Sequence, residues 1–208
     1  MPMTASDDRL FSPSASRNRD PILQVLRQLL PKSGCILEIA SGSGEHITWF
    51  ASHLPGLTWQ PSDPDAAGRA SIAAHTAAQK LENVLPPLAI DTTNPGVPDI
   101  ACVAMTCCNM IHISPWAATE GLFALADSLL PGGSGLYLYG PFKRDRVHTA
   151  PSNATFDADL RRRNPDWGIR DMADLTALGE RHGLTLTETI PMPANNFSLW
   201  FQKAVEIG

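Results

Sequence analysis

Apolar runs and helical stripes alternate along this chain. Cys35-Ile-Leu-Glu-Ile-Ala40 is nearly continuous in apolar character, as a strand buried on both faces should be. Leu57–Gln60, Leu88–Ile90, Asp99–Met105 and Gly135–Tyr139 carry the same signal. Between them lie helical patterns with recognisable ends. Ile22, Leu26, Leu29 and Leu30 mark one face of a helix begun by Asp20-Pro21 and stopped at Pro31. A helix from Glu45 to Leu54 ends at Pro55-Gly56, and Asp63-Pro64-Asp65 caps an Ala-rich one running to about Lys80. Ser114-Pro115 and Asp171 open two more, closed by Pro131-Gly132-Gly133 and His182-Gly183. Strands Leu184–Ile190 and Phe197–Lys203 have no helix between them and must pair as an antiparallel hairpin at a sheet edge.

This alternation predicts an α/β fold, a mostly parallel seven-stranded sheet with helices on both faces and a C-terminal antiparallel hairpin. Five βα units plus that hairpin suit class I methyltransferases better than dinucleotide dehydrogenases. Residues 1–16 are polar apart from Leu10 and Phe11, and are expected to form a flexible segment, a possible lid, before a single domain at 17–208. Residues 140–169 exceed an ordinary connection, so function is suspected there, with one short helix near Phe156–Arg163.

The 208 residues suffice for one full core. A net charge of -5 disfavours a nucleic-acid partner, and the clusters Lys143, Arg144, Arg146 and Arg161–Arg163 are short enough to be solvated surface. Cys35, Cys102, Cys107 and Cys108 stand at no metal-ligand or redox spacing, so no metal site is expected. Unpaired thiols suit a reducing cytoplasm. No apolar run is long enough to span a bilayer, and no signal peptide is recognisable.

Ligands in an open α/β sheet lie beyond the carboxyl ends of the strands. The first tip carries Glu38, then Ser41-Gly-Ser-Gly44, where two glycines let backbone approach a ligand closely. A dinucleotide fingerprint needs a further glycine at position 47, which is Ile47. Glu38 would repel a pyrophosphate but can hold the amino group of a methionine moiety, which favours S-adenosyl-L-methionine over NAD. Asp63 at the second tip can accept from a ribose diol, or simply cap a helix with Pro64. Asp91-Thr92 at the third can bracket an adenine, or be a polar strand end. At the fourth, Asn109-Met-Ile-His112 would lie beside the transferable methyl, with His112 a base or a satisfied structural donor.

Several stretches together resemble the methyltransferase-like 26 family, from about residue 8 to 203. They are Arg17-Asn-Arg-Asp-Pro-Ile22, Ile36-Leu-Glu-Ile-Ala-Ser-Gly-Ser-Gly-Glu-His46, Gln60-Pro-Ser-Asp63 and Asn109–His112. Tyr139-Gly-Pro-Phe142, Ser152-Asn153 with Phe156-Asp157, Trp167-Gly-Ile-Arg-Asp171 and Met192-Pro-Ala-Asn-Asn196 complete the set. The resemblance implies a Rossmann-like class I methyltransferase fold and little about substrate. It departs from the usual glycine loop at Ala40, where a first glycine often stands. It adds Arg17, Asn18, Ala40 and His46 to the donor residues Glu38, Gly42, Gly44, Asp63, Asp91, Thr92 and Asn109, with Arg17-Asn18 closing over the donor.

The expected enzyme transfers a methyl group to a small molecule, with Asn109, His112 and Tyr139 as catalytic residues. Phe142, Asn153, Trp167, Arg170, Asn195 and Asn196 form the expected acceptor pocket, Arg170 clamping an anionic group. Competing readings are a regulator that binds the donor without turnover, a tRNA or protein methyltransferase, and a nicotinamide oxidoreductase.

Overall fold

A computed structural model describes residues 8–94 and 96–205. Strands β1 (Gly34–Ile39), β2 (Leu57–Pro61), β3 (Ala104–Cys108) and β4 (Gly135–Gly140) pair in parallel, and β7 (Leu184–Met192) and β8 (Asn196–Lys203) form the antiparallel hairpin. The order is β2-β1-β3-β4-β8-β7, with β8 antiparallel to β4. A separate two-stranded ribbon, β5 (Lys143–Arg144) and β6 (Val147–His148), opens the long connection. The helices are α1 (Pro13–Leu29), α2 (Glu45–His53), α3 (Ala66–Gln79), α4 (Trp116–Leu129), α5 (Pro151–Arg163) and α6 (Met172–Arg181).

Period-two alternation sorts the strand side chains onto two faces. Leu37, Met105, Leu136 and Phe201 join α4 and α6, whereas Ile36, Ala104, Tyr137 and Trp200 meet α1, α2 and α3. Layers of this kind on both sides of a parallel sheet are the expected α/β architecture.

Four expectations about the elements need correction. The sheet has six strands, not seven, because the Leu88–Ile90 run forms only one isolated bridge, Leu88 with Ser62, and Val84 before it makes another with Trp59. Pro86-Pro87 offers no N–H donor between them, so a continuous ladder cannot form. The strand expected at 99–105 lies at Ala104–Cys108, because pairing with β1 runs from Ile36 and Ala104 to Ile39 and Cys107. Helix α5 begins at Pro151 rather than near Phe156, with the proline in its first turn.

The first helix begins at Pro13, not Pro21. Ser12 is its cap, accepting from the Ala15 N–H, and Pro21 lies within it. Residues 13–16 of the segment expected to be flexible are therefore helical, whereas 1–7 fall outside the described residues. Leu10 is anchored on α3: its N–H donates to Ser71 Oγ (2.8 Å) and its carbonyl meets His75 Nε2 (2.8 Å). The Ser12 N–H reaches the Glu45 carboxylate at the start of α2. Among the described residues no helix is long and apolar enough to cross a membrane.

Candidate active site

The turn leaving β1 is left-handed at three positions, Ala40 (φ 56°), Gly42 (φ 57°) and Gly44 (φ 87°). Ala40 thus holds a conformation that costs an L-residue about 1–2 kcal/mol. Asp63 ties the turn down, its Oδ2 accepting from the Gly42 N–H (2.8 Å) and its Oδ1 from the Asp65 N–H (2.9 Å). The residue that caps α3 is Asp65, which accepts from the Ala67 N–H (3.1 Å), so Asp63 is free of that duty. Each carboxylate oxygen has a second lone pair left to offer a ligand.

A cavity of about 420 Å³ opens over these strand tips. Ala40, Gly42, Asp63, Asp91, Thr92 and Cys108 contribute to its lining. Asp91 accepts from both the N–H and the hydroxyl of Thr93 (2.8 and 2.7 Å), and these bonds hold its carboxyl below the usual range. Thr92 beside it is buried. Trp167, expected in the acceptor pocket, forms part of this first cavity instead.

Glu38 immediately precedes the cavity residues Ile39 and Ala40, is 2% exposed and does not itself line either cavity, both of its oxygens being sealed behind that lining. Neither of its oxygens has a hydrogen-bond partner in the protein. Burial pushes its pKa up to about 7, against a downward pull from the Ser41 hydroxyl, whose approach falls short of a formed bond. An orphaned carboxylate of this kind is costly unless a cation or a proton completes it.

A second cavity, of about 550 Å³, adjoins the first, with Ile113 lining both. It gathers residues from four distant segments: Arg17 and Asn18 from α1, Asn109 after β3, Tyr139 from β4, and Asn195 and Asn196 from the terminal hairpin. Asn153 joins them and fixes the hairpin, donating to the Asn195 carbonyl (2.9 Å). Tyr139 is buried, which raises its pKa, while the Asn18 and Asn196 amides beside it act the other way. Arg17 and Asn18, expected over the donor, therefore wall the second cavity. His46 lines neither cavity; it bonds Asn18 Oδ1 through Nε2 (2.7 Å), and burial, then the Arg19 charge, lowers its pKa to about 4.

Three further expected site residues turn out to support the site. Phe142 is fully buried, outside both cavities, and packs edge-on against His112 at 5.0 Å between ring centroids. His112 borders the second cavity, but its Nδ1 accepts from the Arg170 N–H (3.4 Å) and its Nε2 is sealed without a partner. A Cβ on Gly140 would lie only 2.4 Å from that Nε2. Burial, then the Arg170 charge, lowers the His112 pKa to about 3, so this imidazole is a poor general base. Arg170 lines neither cavity. Its guanidinium donates to the carbonyls of Ile111 (2.8 Å), Ser114 (2.6 Å) and Asp166 (3.1 Å), clamping the loop that carries Asn109 and Ile113.

Lysine cannot copy that fork. Arg170→Lys is therefore expected to lower stability by about 2–3 kcal/mol, the scale of one or two lost charge-assisted bonds, read as a fall in Tm. An unchanged Tm with selective loss of acceptor binding would return Arg170 to the acceptor pocket.

Ser14 and Ile113 line the cavities without having been expected there, whereas Phe156 belongs to the Asn153–Asp157 stretch from which an aromatic pocket wall could be read. For Ser14 the signal was Ser12-Pro13, the same cap-then-proline pattern as Asp20-Pro21. Ile113 carries none, because an apolar loop residue has no local reason to face a cavity.

Residues 9–203 match the model of a family described as "Protein of unknown function (DUF938)". The fold is shared with solved methyltransferases. An O-methyltransferase family protein from Burkholderia thailandensis superimposes with a TM-score of 0.79 at 15% identity, covering 92% of this chain and 58% of that one. An O-methyltransferase family 2 protein from Planctomyces limnophilus, in complex with apigenin, gives 0.75 at 16% identity, with 92% and 60% covered. Human N-acetylserotonin methyltransferase, in complex with SAM, gives 0.76 at 11%, with 92% and 53% covered. The chain thus spans little more than half the length of each. At such identities the likeness shows the fold, a class I methyltransferase one.

Proposed function

We propose that this chain, which belongs to the DUF938 family, is an S-adenosyl-L-methionine-dependent methyltransferase of a small-molecule acceptor. Its resemblance to the methyltransferase-like 26 family is part of that reading, as is a reducing cytoplasm, which suits its four free cysteines. The observation that carries it is Glu38: a buried, unpartnered carboxylate under a glycine turn asks for a cation such as the donor's ammonium, and repels a pyrophosphate. Asp63 would accept from the ribose diol, and Asp91 and Thr92 would flank the base. Asn109 and Tyr139 stand in the adjoining cavity, where the acceptor would be oriented. When bound, the donor supplies an electrophilic methyl on a sulfonium, and alignment of the acceptor's nucleophile with it is the protein's main task.

Titration tests this reading. The folded protein keeps a proton on Glu38 that the unfolded chain loses near pH 4.5, so this group's stabilisation is full below pH 4.5 and is lost as pH rises through about 7. The lost amount is about 3 kcal/mol. An ammonium selects the ionised form, so affinity for S-adenosylhomocysteine is expected to rise about tenfold from roughly pH 6 to 8. Glu38→Gln should flatten that rise. His46 and His112 have lowered pKa values and act oppositely, losing stability as pH falls below 6.5, so wild type and variant must be compared at each pH. Calorimetry in which NAD binds and S-adenosylhomocysteine does not would refute the proposal.

A further inference from the structure

The second cavity has an unusual charge balance. Arg17 is the one residue with a permanent charge in its lining, and no Asp or Glu accompanies it. Among the described residues no ion pair or hydrogen bond engages its guanidinium. The neighbouring amides are largely committed to the protein: Asn18 Oδ1 to His46, Asn195 Nδ2 to Ser152 Oγ, Asn196 Nδ2 to the Pro193 carbonyl. A free cation in a cavity without a counterion is a receptor for an anion, and guanidinium geometry matches a carboxylate.

The cavity also lacks a base. His112 has Nδ1 occupied and Nε2 sealed, and no other imidazole, lysine or carboxylate lines the space. An alcohol or a protonated amine would need its proton removed, whereas a carboxylate oxygen attacks as the anion it already is. In such a transfer the new O–C bond forms as the C–S bond breaks, its electron pair passing to sulfur, and no proton needs a destination. Tyr139, Phe156, Pro141 and Ile113 supply flat or apolar walls around these polar groups. Phe156 is 41% exposed on the surface of α5 yet faces this cavity, so it is placed to cover a ring.

We propose that the second cavity takes a small aromatic carboxylic acid as acceptor, with Arg17 as the clamp of its carboxylate. This rests on the reading that the donor occupies the first cavity. The same guanidinium chemistry would also suit the donor's own α-carboxylate, and the experiment separates the two.

Benzoate and benzamide, alike in shape and unlike in charge, are titrated calorimetrically into the protein with and without saturating S-adenosylhomocysteine. Benzoate is expected to bind at least tenfold more tightly than benzamide. Arg17→Gln should abolish that preference while S-adenosylhomocysteine affinity stays within twofold and Tm is unchanged. Equal binding of the two probes, or binding of neither, would overturn the proposal. So would an Arg17→Gln variant that binds S-adenosylhomocysteine tenfold more weakly but methylthioadenosine normally, since Arg17 would then hold the donor's tail. Failure of the donor reading registers separately, as absence of S-adenosylhomocysteine binding to the wild-type protein, and the titration without it still scores the carboxylate preference.

Discussion

Replacing Gly44 by alanine is expected to destabilise the protein by about 2–5 kcal/mol, the sum of a left-handed-backbone cost and an overpacking cost. Gly44 caps α2 at φ 87°, and a Cβ there would lie 2.8 Å from Ile72 Cα, an atom of the α3 backbone that cannot rotate away. For a chain of this length the loss corresponds to a fall in Tm of roughly 5–15 °C. Gly42→Ala is the informative control. At φ 57° its Cβ would meet nothing nearer than the Ala40 carbonyl at 4.0 Å, and Ala40 already carries a methyl at φ 56°. Its Tm should drop by the left-handed-backbone cost alone, about 1–2 kcal/mol and so less than for Gly44→Ala, whereas the new methyl at the cavity lining should weaken S-adenosylhomocysteine binding. Equal Tm values for the two variants would show that α3 yields to Gly44→Ala, contrary to the packing argument.

Asp63→Ala removes two acceptors at once. The Gly42 and Asp65 N–H groups lose their carboxylate partner, a cost of about 1–3 kcal/mol for each that stays out of water. The glycine turn would also lose its tie to the end of β2, so donor affinity is expected to fall about tenfold or more, the scale of a lost bond to a charged group. Asn at this position retains one oxygen and should give an intermediate Tm. Donor affinity that is unchanged in a folded Asp63→Ala protein would leave Asp63 as a structural tie alone.

The parallel sheet, its helices and the final hairpin were legible because each follows from local periodicity and from turn chemistry. Ile36 and Leu37 face opposite ways whatever they pack on, and Gly44 stands at a strand-to-helix turn that few residues can make. The same locality explains the misplaced ends. Ser12-Pro13 and Asp20-Pro21 are equivalent start signals, and only contacts of residues 10–12 with α2 and α3 select the first. Pro86-Pro87 is visible in the chain, but its effect on the edge strand depends on what β2 presents beside it.

The site divides along the same line. Glu38, Gly42 and Asp63 sit at the ends of β1 and β2, and Asp91 follows the short segment bridged to Ser62, so the carboxyl edge of the sheet brings them near one another and their placement could be read in chain order. Arg170, Phe142 and His112 have side chains equally suited to a pocket or to its scaffold. Their places were decided by partners 30 to 60 residues away, such as the Ile111 carbonyl that takes the Arg170 guanidinium and the ring of Phe142 against His112. The sequence by itself determined which elements form and which residue types stand at their ends, because those follow from neighbouring covalent geometry and solvent preference. The tertiary structure alone decided that Arg17 faces a cavity without a counterion and that Glu38 is buried without a partner. Burial and pairing are properties of what the folded chain places around a group, not of the group.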